Sequence, residues 1–135
     1  MGKKFDFVVF DASLHHADRP VELLRQVREI LSDNGSIVCI REAIAPSLPI
    51  LEQVVRMKTS AFERRYGVTE NIFTLSQWTD LFKNGGFRMH AVALPTSINW
   101  EKKHWKNSLL SQIPFLSKLM YGVDSRTIAF VAVPA

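Results

Sequence analysis

The stretch that decides the fold is Lys3 to Gly35, which reads KKFDFVVFDASLHHADRPVELLRQVREILSDNG. Its first part, Phe5 to Phe10, is an apolar run interrupted only by Asp6, and such a run is typical of a parallel strand covered on both faces. A polar loop with two adjacent histidines follows the strand, and an amphipathic helix follows the loop. In open α/β sheets, ligands bind beyond the carboxyl ends of the strands, so this loop is the first candidate site.

The helix after the loop carries its own start and stop signals. Asp18 is placed to cap it, and Pro20 fits its first turn. The apolar stripe that would face a sheet comprises Val21, Leu23, Leu24, Val27, Ile30 and Leu31. The turn Asp33-Asn34-Gly35 ends the helix, and the apolar stretch Ser36 to Ile40 predicts a second strand.

These elements together predict a βαβ unit. A right-handed crossover makes the two strands parallel and puts both carboxyl ends on the same edge of the sheet. We therefore expect Asp11, at the end of the first strand, to share a site with Arg41-Glu42, at the end of the second.

The rest of the chain continues the same α/β domain with further helices and strands. The segment Ala43 to Pro49, with two prolines, indicates a loop. A helix is predicted from Ile50 to Tyr66 with Gly67 as its C-cap, followed by a connector from Val68 to Phe73. A short helix then begins at a Thr74/Gln77 capping box and ends at Gly85-Gly86. The remaining elements are a strand from Phe87 to Leu94, an irregular amphipathic segment over residues 95–122, and a last strand from Thr127 to Val133.

The composition is that of one ordinary globular domain. Of the 135 residues, 47% are hydrophobic and 22% are charged, which argues against disorder. No apolar run is long enough to span a bilayer and no signal peptide opens the chain, so we expect a cytoplasmic protein. Cys39, the single cysteine, permits no internal disulfide and is expected to pack within its strand. The net charge of +4 lies entirely in the C-terminal third, where it fits a solvated face, an anionic substrate or a membrane surface.

Several of these segments together resemble the second half of a class I S-adenosylmethionine (SAM)-dependent methyltransferase. That family has a strand, a loop often reading LHH, a helix, and a turn reading LKPGG before the next strand. The matching segments here are Phe5 to Phe10, Ser13 to Asp18 (SLHHAD) and Val27 to Val38 (VREILSDNGSIV). In the turn, Leu31 to Gly35 reads LSDNG, so the family's proline and first glycine are replaced.

The resemblance continues later in the chain. Glu70 to Trp78 (ENIFTLSQW) and Leu81 to Phe87 (LFKNGGF) are similar to the family's segment before its sixth strand. The resemblance implies a Rossmann-like α/β partial sheet with flanking helices, built from strands 4 to 7 of the family. Its last strand would be antiparallel and lie between the fifth and sixth. Only residues 95–122 fall outside it.

The part of the family that cradles SAM has no counterpart in this sequence. A complete member begins with a strand, a glycine-rich GxGxG turn and an acidic residue that binds the ribose, and the six glycines here make no such motif. The implied cofactor is SAM, with an incomplete site in this chain. A strand Phe5 to Phe10 with one unpaired edge is a template for association, so we expect the chain to form homo-oligomers or to pair with a missing N-terminal half.

The histidines of the loop are the candidate catalytic residues. Methyl transfer needs a base only when the acceptor carries a proton that must leave, and a neutral imidazole works near pH 7. His15 and His16 follow the strand end directly and are the candidates. The alternative is that one of them caps the loop or hydrogen-bonds to backbone. We expect no metal site, because a rigid loop seldom points two adjacent histidines at one ion.

The other site residues follow from the resemblance alone. It implies that the loop lines the methionine and sulfonium end of SAM, largely through backbone groups of Asp11, Ala12, Ser13 and Leu14. It also implies that Arg41 and Glu42 face the methyl acceptor. The alternative for Glu42 is a surface salt bridge with Arg41 or with a helix residue.

Two functions remain open on the sequence. The first is the C-terminal portion of a SAM-dependent methyltransferase that acts on an oxygen or nitrogen of a small molecule and is inactive as an isolated chain. Nucleic acid is not favoured as the acceptor, because the basic residues form no stripe along the site. The second is a non-catalytic methyltransferase-like module that binds a partner through its open strand edge. Residues 95–122 fit peripheral membrane contact or a pocket cover, and equally a helix packed on the domain.

Overall fold

The computed structural model of the protein describes residues 4–45, 49–93 and 128–135. The strands are β1 (Phe5–Asp11), β2 (Leu31–Ile40), β3 (Ile44–Ala45), β4 (Phe73–Thr74), β5 (Phe87–Ala93) and β6 (Ile128–Pro134). The helices are α1 (Pro20–Ile30), α2 (Pro49–Tyr66) and α3 (Leu75–Asn84), and a single 3₁₀ turn covers Leu14–His16. The segment 95–122 and the predicted strand ends Leu94 and Thr127 lie outside the described residues.

The main sheet has four strands in the order β1-β2-β6-β5. β1 and β2 are parallel, as the βαβ prediction requires. β6 runs antiparallel to both of its neighbours, β2 and β5. This is the predicted Rossmann-like partial sheet, in which the last strand, β6, lies between β2 and β5.

The core lies between one face of this sheet and the helices α1 and α3. From the helices it takes Leu24, Val27, Trp78, Leu81 and Phe82, and from the sheet Ile37, Cys39, Phe87, Phe130 and Ala132. Trp78 is fully buried, and its indole N–H donates to the carbonyl of Ala43 at 3.0 Å. That bond ties α3 to the segment just after β2, where the candidate site lies.

The prediction that the first strand is covered on both faces is wrong for the described residues. Val8 and Phe10 pack against the core, but the side chains on the other face are open: Phe7 is 69% exposed and Val9 is 60% exposed. β1 is also an edge strand, with β2 as its one described neighbour. Part of the hydrophobic surface of β1 is therefore left uncovered by the described residues.

The start and end of α1 differ from the prediction. Arg19 occupies the N-cap position and no side chain caps the helix, while Asp18 instead accepts a hydrogen bond from the Thr69 hydroxyl at 2.8 Å. At the other end, Leu31 is already extended and begins β2, so the predicted turn at residues 33–35 lies within that strand. The helix ends earlier because Leu31 is the first residue of β2, where its side chain is fully buried in the core.

The loop predicted over Ala43 to Pro49 contains structure at both ends. Ile44–Ala45 pairs in parallel with Phe73–Thr74, which connects the chain after β2 to the start of α3. Pro49 is the first residue of α2, a position where its missing N–H has no helical partner to lose. Three other turn predictions are confirmed: Gly67 ends α2 at φ +64°, Thr74 and Gln77 form a capping box, and Gly86 adopts φ +88° after α3.

No helix in the described ranges is long and apolar enough to cross a membrane.

Leu24→Ala is expected to lower the free energy of unfolding by about 2 to 5 kcal/mol, because it leaves a cavity beside Gly85 in the core between α1 and α3. Ile30→Ala, on the same helix but 44% exposed, should cost less than about 1 kcal/mol. Urea denaturation followed by circular dichroism measures both. Equal losses in the two variants would contradict this packing.

Candidate active site

The carboxyl ends of β1 and β2 meet, as predicted, through an ion pair. The Arg41 guanidinium donates to the Asp11 carboxylate through Nε and Nη2, each at 2.6 Å. The hydrogen bond from Arg41 and its positive charge lower the pKa of Asp11. Both side chains are about half exposed, so this pair marks the solvent side of the site.

Two residues beside this ion pair have left-handed backbone conformations. Ala12 has φ +48° and Arg41 has φ +58°, which are uncommon for residues with a side chain. The N–H of Ala12 donates to the carbonyl of Ile40 at 2.9 Å, which locks the two turns together. Strain of this kind persists only where surrounding contacts hold it, and it is concentrated at functional sites.

The Glu42 carboxylate is buried beneath the loop that follows β1. Oε1 accepts from the N–H groups of Ser13 and Leu14 at 3.1 and 3.0 Å. Oε2 accepts from the N–H of His15 at 3.1 Å and lies 2.6 Å from its ring Nδ1. Burial by itself would raise the pKa of Glu42, but these four hydrogen bonds outweigh it and hold the pKa below its ordinary value.

His15 is buried and has carboxylates on both sides of its ring. Because Nδ1 faces Glu42, it carries the proton and donates it there, which leaves Nε2 as the free nitrogen. Nε2 points toward Glu70, whose Oε2 lies 3.6 Å away. The carbonyl of His15 accepts from the N–H of Asn71 at 2.9 Å, so the backbone is held as firmly as the ring.

His16 is held by the connector before β4. Its Nδ1 lies 2.8 Å from the carbonyl of Thr69 and 3.5 Å from Glu70 Oε1. The side chain of Asn71 donates to the carbonyl of Ala17 at 2.8 Å, which ties the same connector to the end of the loop. Of the two predicted alternatives for the histidines, a backbone hydrogen bond therefore describes His16.

The structure brings together all the residues predicted for the site, but it gives several of them internal partners. The N–H groups of Ser13 and Leu14 are occupied by Glu42, and the Leu14 side chain is fully buried. The alternative of a surface salt bridge between Glu42 and Arg41 is wrong, because Glu42 is buried and Arg41 pairs with Asp11. The roles of these residues toward SAM and an acceptor remain predictions.

Glu70 is the site residue to which the sequence analysis gave no role. It lies 55 positions after His15 in the chain, and only the fold of the connector brings the two side chains together. The sequence feature that could have indicated a role for Glu70 is its position at the start of Glu70 to Trp78, a segment similar to the methyltransferase family. Cys39, in contrast, packs as expected in the core, where burial raises the pKa of its thiol.

A polar cleft opens beside this cluster, between α2 and the connector. It has a volume of about 250 Å³ and is lined by Arg56, Thr59, Ser60, Glu63, Glu70, Asn71, Ile72 and Phe73. Glu63 accepts from the backbone N–H of Glu70 at 2.8 Å and so positions it. Glu70 thus belongs both to the wall of the cleft and to the histidine cluster.

No protein-family model matches the sequence, and no curated protein sequence matches it. Solved structures do match over almost the whole chain. CalO1, a methyltransferase in calicheamicin biosynthesis in its SAH-bound form, is 19% identical, with a TM-score of 0.57 over 99% of this chain and 31% of CalO1. A candidate O-methyltransferase from Nostoc punctiforme is 20% identical, with a TM-score of 0.54 over 98% of this chain and 32% of that protein.

A third match is a protein of the Haloferax volcanii complex between the Trm112 methyltransferase activator and a candidate methyltransferase. It is 11% identical, with a TM-score of 0.59 over 98% of this chain and 55% of that protein. The chain therefore spans about a third of the length of the first two proteins and about half of the third.

The chain has the fold of a class I SAM-dependent methyltransferase. Its sheet order β1-β2-β6-β5 corresponds to strands 4, 5, 7 and 6 of that fold, which is the C-terminal part. The loop that follows β1, with Glu42 beneath it, lies at the carboxyl edge of this sheet, where such folds bind their ligands.

Glu42→Gln should destabilise the chain by about 1.5 to 3 kcal/mol at neutral pH, because it replaces a charged acceptor of three backbone N–H groups. The lowered pKa of Glu42 adds stability above its ordinary pKa of 4.5, and this stability is lost as the pH falls through the lower, folded-state pKa. Glu42→Gln should therefore show a flatter loss of stability with acid than the parent chain.

Urea denaturation between neutral pH and pH 3 measures this pH dependence. Glu29→Gln, an exposed change on α1, is the matched control and should keep the parent's profile. Parallel acid profiles for Glu42→Gln and the parent chain would contradict the role assigned to this carboxylate.

Proposed function

We propose that this chain supplies the acceptor side of a SAM-dependent methyltransferase that acts on an oxygen or nitrogen of a small molecule. The observation that carries the proposal is the His15–Glu42 pair, with 2.6 Å between Nδ1 and Oε2 at the carboxyl edge of a methyltransferase-like sheet. A carboxylate in this position fixes the tautomer of the imidazole, so that Nε2 is the group able to take a proton.

SAM would supply a methyl group on its sulfonium sulfur: the acceptor atom would attack the methyl carbon in line, and the carbon–sulfur bond would break to leave S-adenosylhomocysteine. The acceptor hydroxyl or amine gives up its proton as the new bond to the methyl carbon forms, and His15 Nε2 receives that proton. The resulting imidazolium lies between the carboxylates of Glu42 and Glu70, both of which stabilise its charge. These side chains are the groups that the proposed proton transfer requires.

The same chain fits SAM only in part. The resemblance implies that the strand-end loop Asp11 to Leu14 would line the sulfonium end of SAM, but two of its N–H groups are already bound to Glu42. The sequence also has no GxGxG turn. We propose that a missing N-terminal half provides the main cradle and that the isolated chain is inactive.

The polar cleft beside Glu70 is the proposed acceptor pocket. One of its walls, Glu70, lies 3.6 Å from His15 Nε2; His15 itself does not line the cleft, so the proposal requires the Glu70 side chain to move for an acceptor to reach the base. The side chains that line it offer both hydrogen-bond donors and acceptors. A volume of about 250 Å³ favours a small polar acceptor over a nucleic acid strand.

The first test begins with the DNA upstream of Met1, translated in all frames. If a strand, a GxGxG turn and a helix are encoded there, that segment is co-expressed with this chain, and binding of radiolabelled SAM is measured by equilibrium dialysis. Methyl transfer to a panel of hydroxyl- and amine-bearing small molecules is then measured with the same label. SAM binding by the pair but not by this chain alone supports the proposal, and no binding by the pair contradicts it.

In the active pair, His15→Asn is expected to lower the turnover number by about 10² to 10⁴ while leaving SAM affinity unchanged. The asparagine amide can still donate to Glu42 in place of Nδ1, but it has no nitrogen to replace Nε2 as a base. Steady-state kinetics and SAM dialysis on the same preparations measure the two effects.

His90→Asn, on the exposed side of β5, is the control and should retain full turnover. His16→Asn shows which histidine is the base: a loss there with none in His15→Asn would transfer the role to His16. Loss of SAM affinity in His15→Asn would contradict the assignment of His15 to proton transfer.

A second function is favoured by the open edge of β1, namely a non-catalytic module that associates through this strand. Among the described strands, only β2 pairs with β1, and Phe7 and Val9 lie exposed beside the free edge. A long apolar edge is a template for pairing with another strand. The occupant is either the missing half or a second copy of this chain, and the two are distinguished by whether the chain associates on its own.

Val9→Lys is expected to reduce self-association of the isolated chain, because a lysine on an edge strand disfavours edge-to-edge pairing. Sedimentation velocity at several protein concentrations measures the association. Val92→Lys is the matched control on β5, the opposite edge strand, where the valine is 44% exposed. Equal association of both variants would remove β1 as the contact, and a stable parent dimer that binds no SAM would favour the module over the enzyme.

A further inference from the structure

The loop after β1 and the connector before β4 bring two imidazoles and one carboxylate together. Glu70 Oε2 lies 3.6 Å from His15 Nε2, and Glu70 Oε1 lies 3.5 Å from His16 Nδ1. One ligand atom from each residue lies within 4.8 Å of the other two. We propose that His15, His16 and Glu70 form a zinc-binding site. The proposal concerns metal binding by this chain and does not depend on methyl transfer.

The spacing of the ligands suits a metal ion better than a hydrogen bond. Zinc–ligand bonds of about 2.0 to 2.2 Å at tetrahedral angles put neighbouring ligand atoms roughly 3.3 to 3.6 Å apart. The separation between His15 Nε2 and Glu70 Oε2 is 3.6 Å, beyond the range of about 2.7 to 3.2 Å for a hydrogen bond from nitrogen to oxygen. The distance between these two atoms therefore matches the distance between two ligand atoms of one tetrahedral zinc ion.

Both histidines have the outer contacts of metal ligands. A histidine that binds a metal through one ring nitrogen almost always donates from the other to a carboxylate, a backbone carbonyl or water. His15 Nδ1 is held by the Glu42 carboxylate and His16 Nδ1 by the carbonyl of Thr69. His15 is thereby left with Nε2 as its lone pair, 3.6 Å from Glu70, and His16 is left with its own Nε2. The 3.5 Å contact of His16 with Glu70 is made by Nδ1, so the His16 ring must shift for its Nε2 to reach a shared ion.

The charge around the cluster also favours a cation. The carboxylates of Glu42 and Glu70 flank the His15 ring, and the described contacts of these two carboxylates include no lysine or arginine side chain. Two imidazoles favour zinc over magnesium or calcium, which prefer oxygen ligands. The partly exposed His16 side chain gives the ion a route from solvent and the freedom to draw the ligands together.

A zinc ion at this site would use the same nitrogen as the proposed base. His15 Nε2 cannot hold a metal ion and accept a proton at once, so zinc binding and proton transfer exclude each other. Bound zinc is therefore expected to inhibit methyl transfer by the complete enzyme.

The test is a zinc titration of the purified, chelator-stripped chain in competition with a chromophoric chelator, with no SAM present. The expected result is one zinc ion per chain and a Tm that rises with zinc concentration. Glu70→Gln, which removes the anionic ligand, and His16→Asn, which keeps a donor to Thr69 but deletes Nε2, should each lower zinc affinity by about tenfold or more. The absorption spectrum of bound cobalt reports whether the site is four-coordinate.

His90→Asn and Glu29→Gln are the controls, since both change exposed side chains of the same types away from the cluster. They should leave zinc affinity unchanged. The proposal fails if the parent chain binds no zinc, or if Glu70→Gln and His16→Asn, shown to be folded by circular dichroism, bind it as tightly as the parent. Because SAM is absent, these outcomes are independent of whether the chain takes part in methyl transfer.

Discussion

The buried carboxylate of Glu42 is the interaction on which the candidate site depends. It follows the left-handed turn at Arg41 and accepts from three successive N–H groups at the start of the 3₁₀ turn, where the local dipole favours an anion. The same carboxylate orients the His15 ring. One side chain from the end of β2 thus fixes both the backbone of the loop after β1 and the tautomer of its histidine.

The sheet around this site has more apolar surface than the described residues cover. α1 and α3 bury one face, while Phe7 and Val9 remain exposed on the other, beside a strand edge without a described partner. The three matched proteins reported above are about two to three times longer than this chain. The proposed base and the open surface fit one hypothesis, in which a second half would complete the sheet and supply the main part of the proposed SAM site.

Periodicity and capping patterns predicted the type of most elements, because these signals are local. The parallel pairing of β1 and β2 followed from the handedness of the crossover, and the position of β6 followed from the resemblance. The predictions were wrong where contacts between residues distant in the sequence determine the local structure. Asp18 bonds to Thr69 instead of capping α1, and Leu31 joins the sheet instead of ending the helix.

For the site, the sequence by itself determined that Asp11, the two histidines, Arg41 and Glu42 would gather at one edge, because each follows the end of a parallel strand. Only the tertiary structure decided which side chain meets which. Glu42 turns inward under the loop, Arg41 pairs with Asp11, and Glu70 reaches the histidines from a connector 55 positions further along. The reason is physical: strand order sets which loops share an edge, whereas the partner of a charged group depends on burial and hydrogen bonds that exist only in the folded chain.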